Sequence, residues 1–167
     1  MQEWCGHVYS QLNNRDQFEF RSHSYFEGEA DQNFTMEKAL LENDIWTKIR
    51  INPENLPKGK ITMIPSLEFL RLRHQEIKSY EAKAEISSKD GITTYTISYP
   101  ELERNLMIHF TSAFPFSIEG WTEEFKSGFG ANAKTLTTTA SKMKTLKTAY
   151  WKQNGNSDLI LRDSLGL

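Results

Sequence analysis

Four side chains near the start of the sequence belong to residue types that do chemistry. Cys5 and His7 lie two positions apart, and so do His23 and Tyr25. A thiol beside an imidazole is the pair that thiol enzymes use, because the base removes the thiol proton. One hypothesis is therefore a hydrolase or thiol enzyme that uses Cys5 with His7 or His23. The alternative, which we favour, is that these side chains pack in the core or face solvent.

Two paired strands would be needed to bring these four residues together. Apolar and polar residues alternate over 3–12, and aromatic residues recur over 18–26. Residues 13–16, Asn-Asn-Arg-Asp, are of types that form turns. The pattern predicts a hairpin whose alternate positions share a face.

Metal chemistry has weaker support in the sequence. The four histidines are scattered, with no pair at a ligand spacing, and Cys5 is the only cysteine. Glu27, Glu29 and Asp31 have the spacing of the first ligands of a calcium loop, but the further oxygen donors do not follow. We predict no metal and no cofactor, and interpret these acids as a solvated loop.

The clearest helical pattern follows that loop. Thr35 is a good N-cap, and prolines at 53 and 57 would end the helix. The apolar residues between them have helical spacing, which predicts an amphipathic helix over about 35–50; they are Met36, Leu40, Leu41, Ile45, Trp46 and Ile49.

The middle of the chain has the two-residue period of strands. Apolar and polar residues alternate over 79–87, 93–99, 106–110 and 114–118, with turn residues between the first segments. These segments predict an antiparallel meander. Residues 67–72 suit a strand slightly better than a short helix, and threonines at 135–139 favour another strand. A short closing helix is expected over 159–165.

Composition limits the class of protein. A chain of 167 residues with 38% hydrophobic residues fits one globular domain, 1–167. The formal charge of −2 provides no field for nucleic acid, although residues 126–157 hold six lysines and no acid. We interpret those lysines as protection of a sheet edge and predict no nucleic-acid partner. Neither a membrane-spanning segment nor a signal peptide is visible.

Several motifs together resemble an uncharacterised bacterial family that is sometimes labelled septum formation inhibitor Maf-like. They are EWCGH (3–7), SYFEGE (24–29), DIWTKIR (44–50), RLRH (71–74), FPF (114–116), GW (120–121) and YW (150–151). The resemblance implies the C-terminal portion of a longer protein of the bacterial cell envelope or periplasm. The pyrophosphatase motif of true Maf proteins has no counterpart here, and the resemblance implies no catalytic residues.

The resemblance also implies a curved antiparallel sheet or partial barrel around a helix, an α+β fold. Aromatic residues inside such a sheet would either enclose an apolar ligand or simply fill the core, and we favour filling. The functional hypothesis is a non-enzymatic module that binds an apolar small molecule or a protein partner, with a homodimer through an exposed sheet edge as a further expectation. The candidate ligand-binding residues are Trp4, Tyr25, Trp46, Tyr95 and Phe116.

Overall fold

The computed structural model of the protein describes residues 8–24, 26–128 and 130–167. Within these ranges the fold is α+β and mainly antiparallel. The α-helices are α1 (Glu42–Ile51), α2 (Leu67–Leu72) and α3 (Ile160–Leu165). The strands are β1 (Val8–Asn14), β2 (Phe18–Ser24), β3 (Gln32–Met36), β4 (Leu40–Leu41), β5 (Gly59–Ile64), β6 (Tyr80–Lys89), β7 (Ile92–Tyr99), β8 (Arg104–Thr111), β9 (Ile118–Ser127) and β10 (Lys134–Ser141).

The strands form two sheets. A three-stranded sheet has the order β1-β2-β3, and a seven-stranded sheet has the order β10-β9-β8-β7-β6-β5-β4. Neighbouring strands are antiparallel except β4 and β5, which are parallel. The larger sheet has β10 at one edge and β4 at the other, so it is open and not closed into a barrel. The predicted α+β class with a mainly antiparallel sheet is confirmed.

The predicted meander is confirmed as β6 to β9. Its first hairpin turns at Asp90 and Gly91, whose φ angles of 52° and 79° are the left-handed pair that a two-residue hairpin requires. Alternate residues on β6, β7 and β8 are buried, as the two-residue period predicted. The core-facing residues of β8 are Arg104, Leu106, Ile108 and Phe110.

Two tyrosines of β7 lie deep in the core. The Tyr95 hydroxyl donates to the Pro57 carbonyl oxygen at 2.7 Å, and the Tyr99 hydroxyl donates to Glu42 Oε2 at 2.8 Å. Burial raises the pKa of both phenols, and the Glu42 carboxylate raises that of Tyr99 further. Both hydroxyls therefore stay protonated as donors at neutral pH, and Tyr95, predicted to bind ligand, fills the core.

The first helix begins later than its pattern predicted. Thr35 lies in β3, where it pairs with Glu19, and is not an N-cap. Leu40 and Leu41 form β4 beside Met63 and Ile64 of β5. The apolar residues before Glu42 thus belong to two different sheets. The helical spacing from Met36 to Ile49 is a coincidence, because it runs through three separate elements, β3, β4 and α1.

Two other segments differ from expectation. Residues 67–72 form helix α2, because the Ser66 hydroxyl accepts a hydrogen bond from the Phe69 amide as an N-cap. Residues 112–117 form a turn instead of continuing a strand, since Phe116 has a left-handed φ of 53° and its amide donates to the Ala113 carbonyl. Phe114 is consequently 82% exposed.

The C-terminal predictions are confirmed. Strand β10 lies at the edge of the larger sheet, and helix α3 ends at Gly166, which has a left-handed φ of 80°. No helix within the described ranges is long and apolar enough to cross a bilayer.

Candidate ligand-binding cleft

The C-terminus of α2 places a histidine where glycine is usual. The Gln75 amide donates to the Leu70 carbonyl at 2.8 Å and the His74 amide to the Arg71 carbonyl at 3.2 Å, which is a Schellman motif. His74 has the left-handed φ of 53° that this motif requires. A residue other than glycine there costs about 1–2 kcal/mol of backbone strain. The strained position is occupied by a side chain that makes specific contacts.

Those contacts centre on Glu29, at the end of the 3₁₀ turn Glu27–Glu29. Its Oε1 is hydrogen-bonded to Nδ1 of His74, and its Oε2 accepts from the Ser24 hydroxyl at 3.3 Å. The same Oε2 lies 2.7 Å from Nη2 of Arg71. The imidazole also meets the ring of Phe26 edge-on, with centroids 4.9 Å apart. Glu29 therefore connects the 3₁₀ turn Glu27–Glu29 to helix α2 and the residue that follows it.

Arg71 is the unusual member of this cluster. Its side chain is only 7% exposed, and Nε and Nη2 are both buried with no hydrogen-bond partner among the described residues. Glu29 is close enough for an ion pair, but the angle at Nη2 does not make it a hydrogen bond. A buried, unsatisfied donor on a charged group costs more than about 1–3 kcal/mol. Such a group favours a further hydrogen-bond acceptor.

An open cavity of about 530 Å³ lies beside α2, and we call it the α2 cleft. Its apolar walls are Phe26, Leu67 and Leu72. Its polar lining comes from Ser10 of β1, Asn43 of α1, and Glu68, Arg71 and His74 at and after α2. Apolar walls with a few converging polar groups, at this volume, are typical of small-molecule sites.

The wall of the α2 cleft includes an exposed leucine. Leu72 is 76% exposed although it lies in a helix, and Phe26 beside it is 36% exposed. A second cavity of about 510 Å³ is also lined by Arg71 and His74, together with Phe34 and Ile77. Arg71 thus lines two cavities.

A third cavity of about 730 Å³ lies beyond the end of α2 and is lined by Arg73. That guanidinium lies 3.8 Å from the ring centre of Phe125 and donates from Nη1 to the Ser127 hydroxyl. Arg73 is therefore satisfied by aromatic and hydroxyl partners, unlike Arg71 two positions earlier. The two arginines form a matched pair for experiment.

Of the ligand-binding residues predicted from the sequence, those that the structure describes do not line the α2 cleft. Trp46 is half-buried against the core and Phe116 is half-buried within its turn, and neither lines the three cavities above. Trp4 and Tyr25 fall outside the described residues, as do Cys5 and His7. The hypothesis that Trp4, Tyr25, Trp46, Tyr95 and Phe116 bind ligand stays a prediction.

His23 is the member of the proposed thiol site that the structure describes. Its Nδ1 lies 2.8 Å from Oδ1 of Asp31, and the two side chains are 58% and 79% exposed. A carboxylate does orient the base in many hydrolases. Pairing of this imidazole with Cys5 stays a prediction.

Glu29 and Asp31, two of the three acidic residues at 27–31, make ion pairs. Glu29 contacts Arg71 and His74, whereas Asp31 contacts His23, so the two carboxylates point to different partners. In the described part of the chain, no group of three or more His, Cys, Asp or Glu side chains is placed to hold a metal ion.

Part of the lysine charge of residues 126–157 is also paired, since Lys126 contacts Glu103 and Lys142 contacts Glu119.

A second charged cluster lies inside the core. Arg104 donates from Nη1 and Nη2 to the two oxygens of Glu42, at 2.6 and 2.9 Å, and from Nε to Glu123 at 2.6 Å. Burial opposes the charge on Arg104, but the two carboxylates outweigh it and raise its pKa. The Phe69 ring lies 4.2 Å from the guanidinium carbon. This cluster fastens the first turn of α1 to β8 and β9.

Comparison with known proteins adds no identification. No family model matches this chain, and searches of curated proteins and of solved structures found no match either. The family resemblance of the sequence motifs stays a prediction.

Proposed function

We propose that the protein is a non-enzymatic binding module and that the α2 cleft holds an apolar small molecule. The observation that carries the proposal is an open cavity of about 530 Å³ with apolar walls and converging polar groups. Leu72 supports it, because an exposed leucine beside such a cavity gains free energy when a ligand covers it. The sequence resemblance favours the bacterial cell envelope as the compartment.

Replacing Leu72 with glutamate tests the site. We expect Leu72→Glu to weaken binding of the neutral dye Nile red by about tenfold or more, because the apolar wall is lost and a charge must be desolvated. Fluorescence titration measures the affinity. Native mass spectrometry of the purified chain is expected to show an apolar adduct that the variant lacks.

Ile51→Glu is the matched control. Ile51 is 74% exposed and lies at the end of α1, by a cavity formed with Thr47 and Phe114. We expect this variant to bind like the wild type. A wild-type chain with neither adduct nor dye binding contradicts the proposal, and so does an equal loss in both variants.

A further inference from the structure

We propose that the ligand of the α2 cleft carries a carboxylate and that Arg71 binds it, an inference that rests on the proposed function. The chemical class is an amphiphile with an acidic head and an alkyl chain. Arg71 supplies the polar recognition, and the walls formed by Phe26, Leu67 and Leu72 hold the chain.

The geometry of the guanidinium supports a carboxylate. Nε and Nη2 lie on the same edge of the planar group, and that edge forms two parallel hydrogen bonds with the two oxygens of a carboxylate. In Arg71 both atoms of this edge are buried and neither is hydrogen-bonded among the described residues. A neutral hydroxyl would satisfy one N–H, whereas a carboxylate would satisfy both.

Glu29 is the competing internal anion. Its Oε2 contacts Nη2 at 2.7 Å without hydrogen-bond alignment, and the same carboxylate also serves His74 and Ser24. A ligand carboxylate takes the place of Oε2 against Nη2, while Glu29 keeps its contact with His74. The exchange replaces one misaligned contact by two aligned ones, which is its source of affinity.

Glu68 lines the α2 cleft, and its carboxylate opposes an anionic ligand. Glu68 is exposed, so water and salt screen it and its effect is about two- to fivefold. Aligned hydrogen bonds from a buried guanidinium are worth about tenfold to a hundredfold. The attraction of Arg71 therefore exceeds the repulsion of Glu68.

Calorimetric titration with dodecanoate and with dodecanamide tests the inference, because the two probes share a chain and differ in charge. We expect the wild-type chain to bind dodecanoate at least about tenfold more tightly than the amide. Arg71→Met should remove the difference, while Arg73→Met, which takes the same charge from the neighbouring cavity, should keep it.

Glu29→Gln is a second variant that does not depend on how well Arg71→Met folds. Neutralising the competitor should tighten dodecanoate binding by about three- to tenfold. Equal affinity for both probes, or no dodecanoate binding while Nile red still binds, overturns the carboxylate inference and leaves the proposed function standing. Unchanged or weaker dodecanoate binding by Glu29→Gln also overturns it. Failure of dodecanoate, dodecanamide and Nile red together removes both proposals.

Discussion

Arg104→Met is expected to lower the free energy of unfolding by about 3–5 kcal/mol, the range for breaking a buried ion pair. The substitution leaves the carboxylates of Glu42 and Glu123, which are only 2% and 19% exposed, without the cation between them. Among the residues that the structure describes, the Tyr99 hydroxyl is then the remaining hydrogen-bond donor to the Glu42 carboxylate. Urea denaturation followed by circular dichroism measures the change.

The double variant Glu42→Met with Arg104→Met distinguishes two causes of the lost stability. One is a buried charge left without its partner, and the other is a site that tolerates no substitution. Replacing both ions of a buried pair by apolar residues of similar size is often neutral or stabilising, so we expect the part of the lost stability that comes from the stranded Glu42 carboxylate to return, whereas Glu123 stays without its cation. Lys126→Met, which removes an exposed ion pair with Glu103, should cost less than about 1 kcal/mol. An Arg104→Met variant as stable as Lys126→Met would contradict the claim that the buried ion pairs of Arg104 contribute more to stability than an exposed pair does.

Phe20→Ala is expected to cost about 3–5 kcal/mol, the range for deleting a buried phenylalanine ring. Phe20 is 1% exposed and belongs to β2 of the small sheet, yet it is part of one core cluster with residues of the larger sheet. We expect unfolding to remain a single transition when it is followed by tryptophan fluorescence, because Trp46 and Trp121 pack against that same core.

Phe34→Ala is the control for Phe20. The two rings are stacked, with centroids 5.2 Å apart, but Phe34 is only partly buried, so its loss should cost clearly less. A Phe20→Ala variant that unfolds in two separate steps would show that the two sheets are independent units and would contradict the single-domain prediction.

The strands of the meander were predictable because their signal is local. Tyr80, Ala82 and Ala84 alternate with charged residues, and a strand buried on one face requires that period wherever its partners lie. The start of α1 was not predictable in the same way. Met36, Leu40 and Leu41 have helical spacing, but each is half-buried in a strand that pairs with another segment of the chain, which the local pattern does not encode.

The α2 cleft was missed for a related reason. Arg71 and Glu29 are far apart in the sequence, and a charged side chain destined for burial looks the same there as one on the surface. The motifs SYFEGE (24–29) and RLRH (71–74), which support the family resemblance, contain both residues and His74. The ligand-binding residues predicted from the sequence are aromatic because ligand sites are usually lined by such side chains. Tyr95, however, is buried in the core.

Amide chemical-shift mapping by NMR during titration with dodecanoate tests the central claim most directly. If the ligand occupies the α2 cleft, the largest shifts will fall on Ser10, Asn43, Leu67, Leu72 and His74, which line it from three separate elements. Shifts confined to Thr47 and Ile51 at the far end of α1, or no localised shifts at saturating probe, would contradict it.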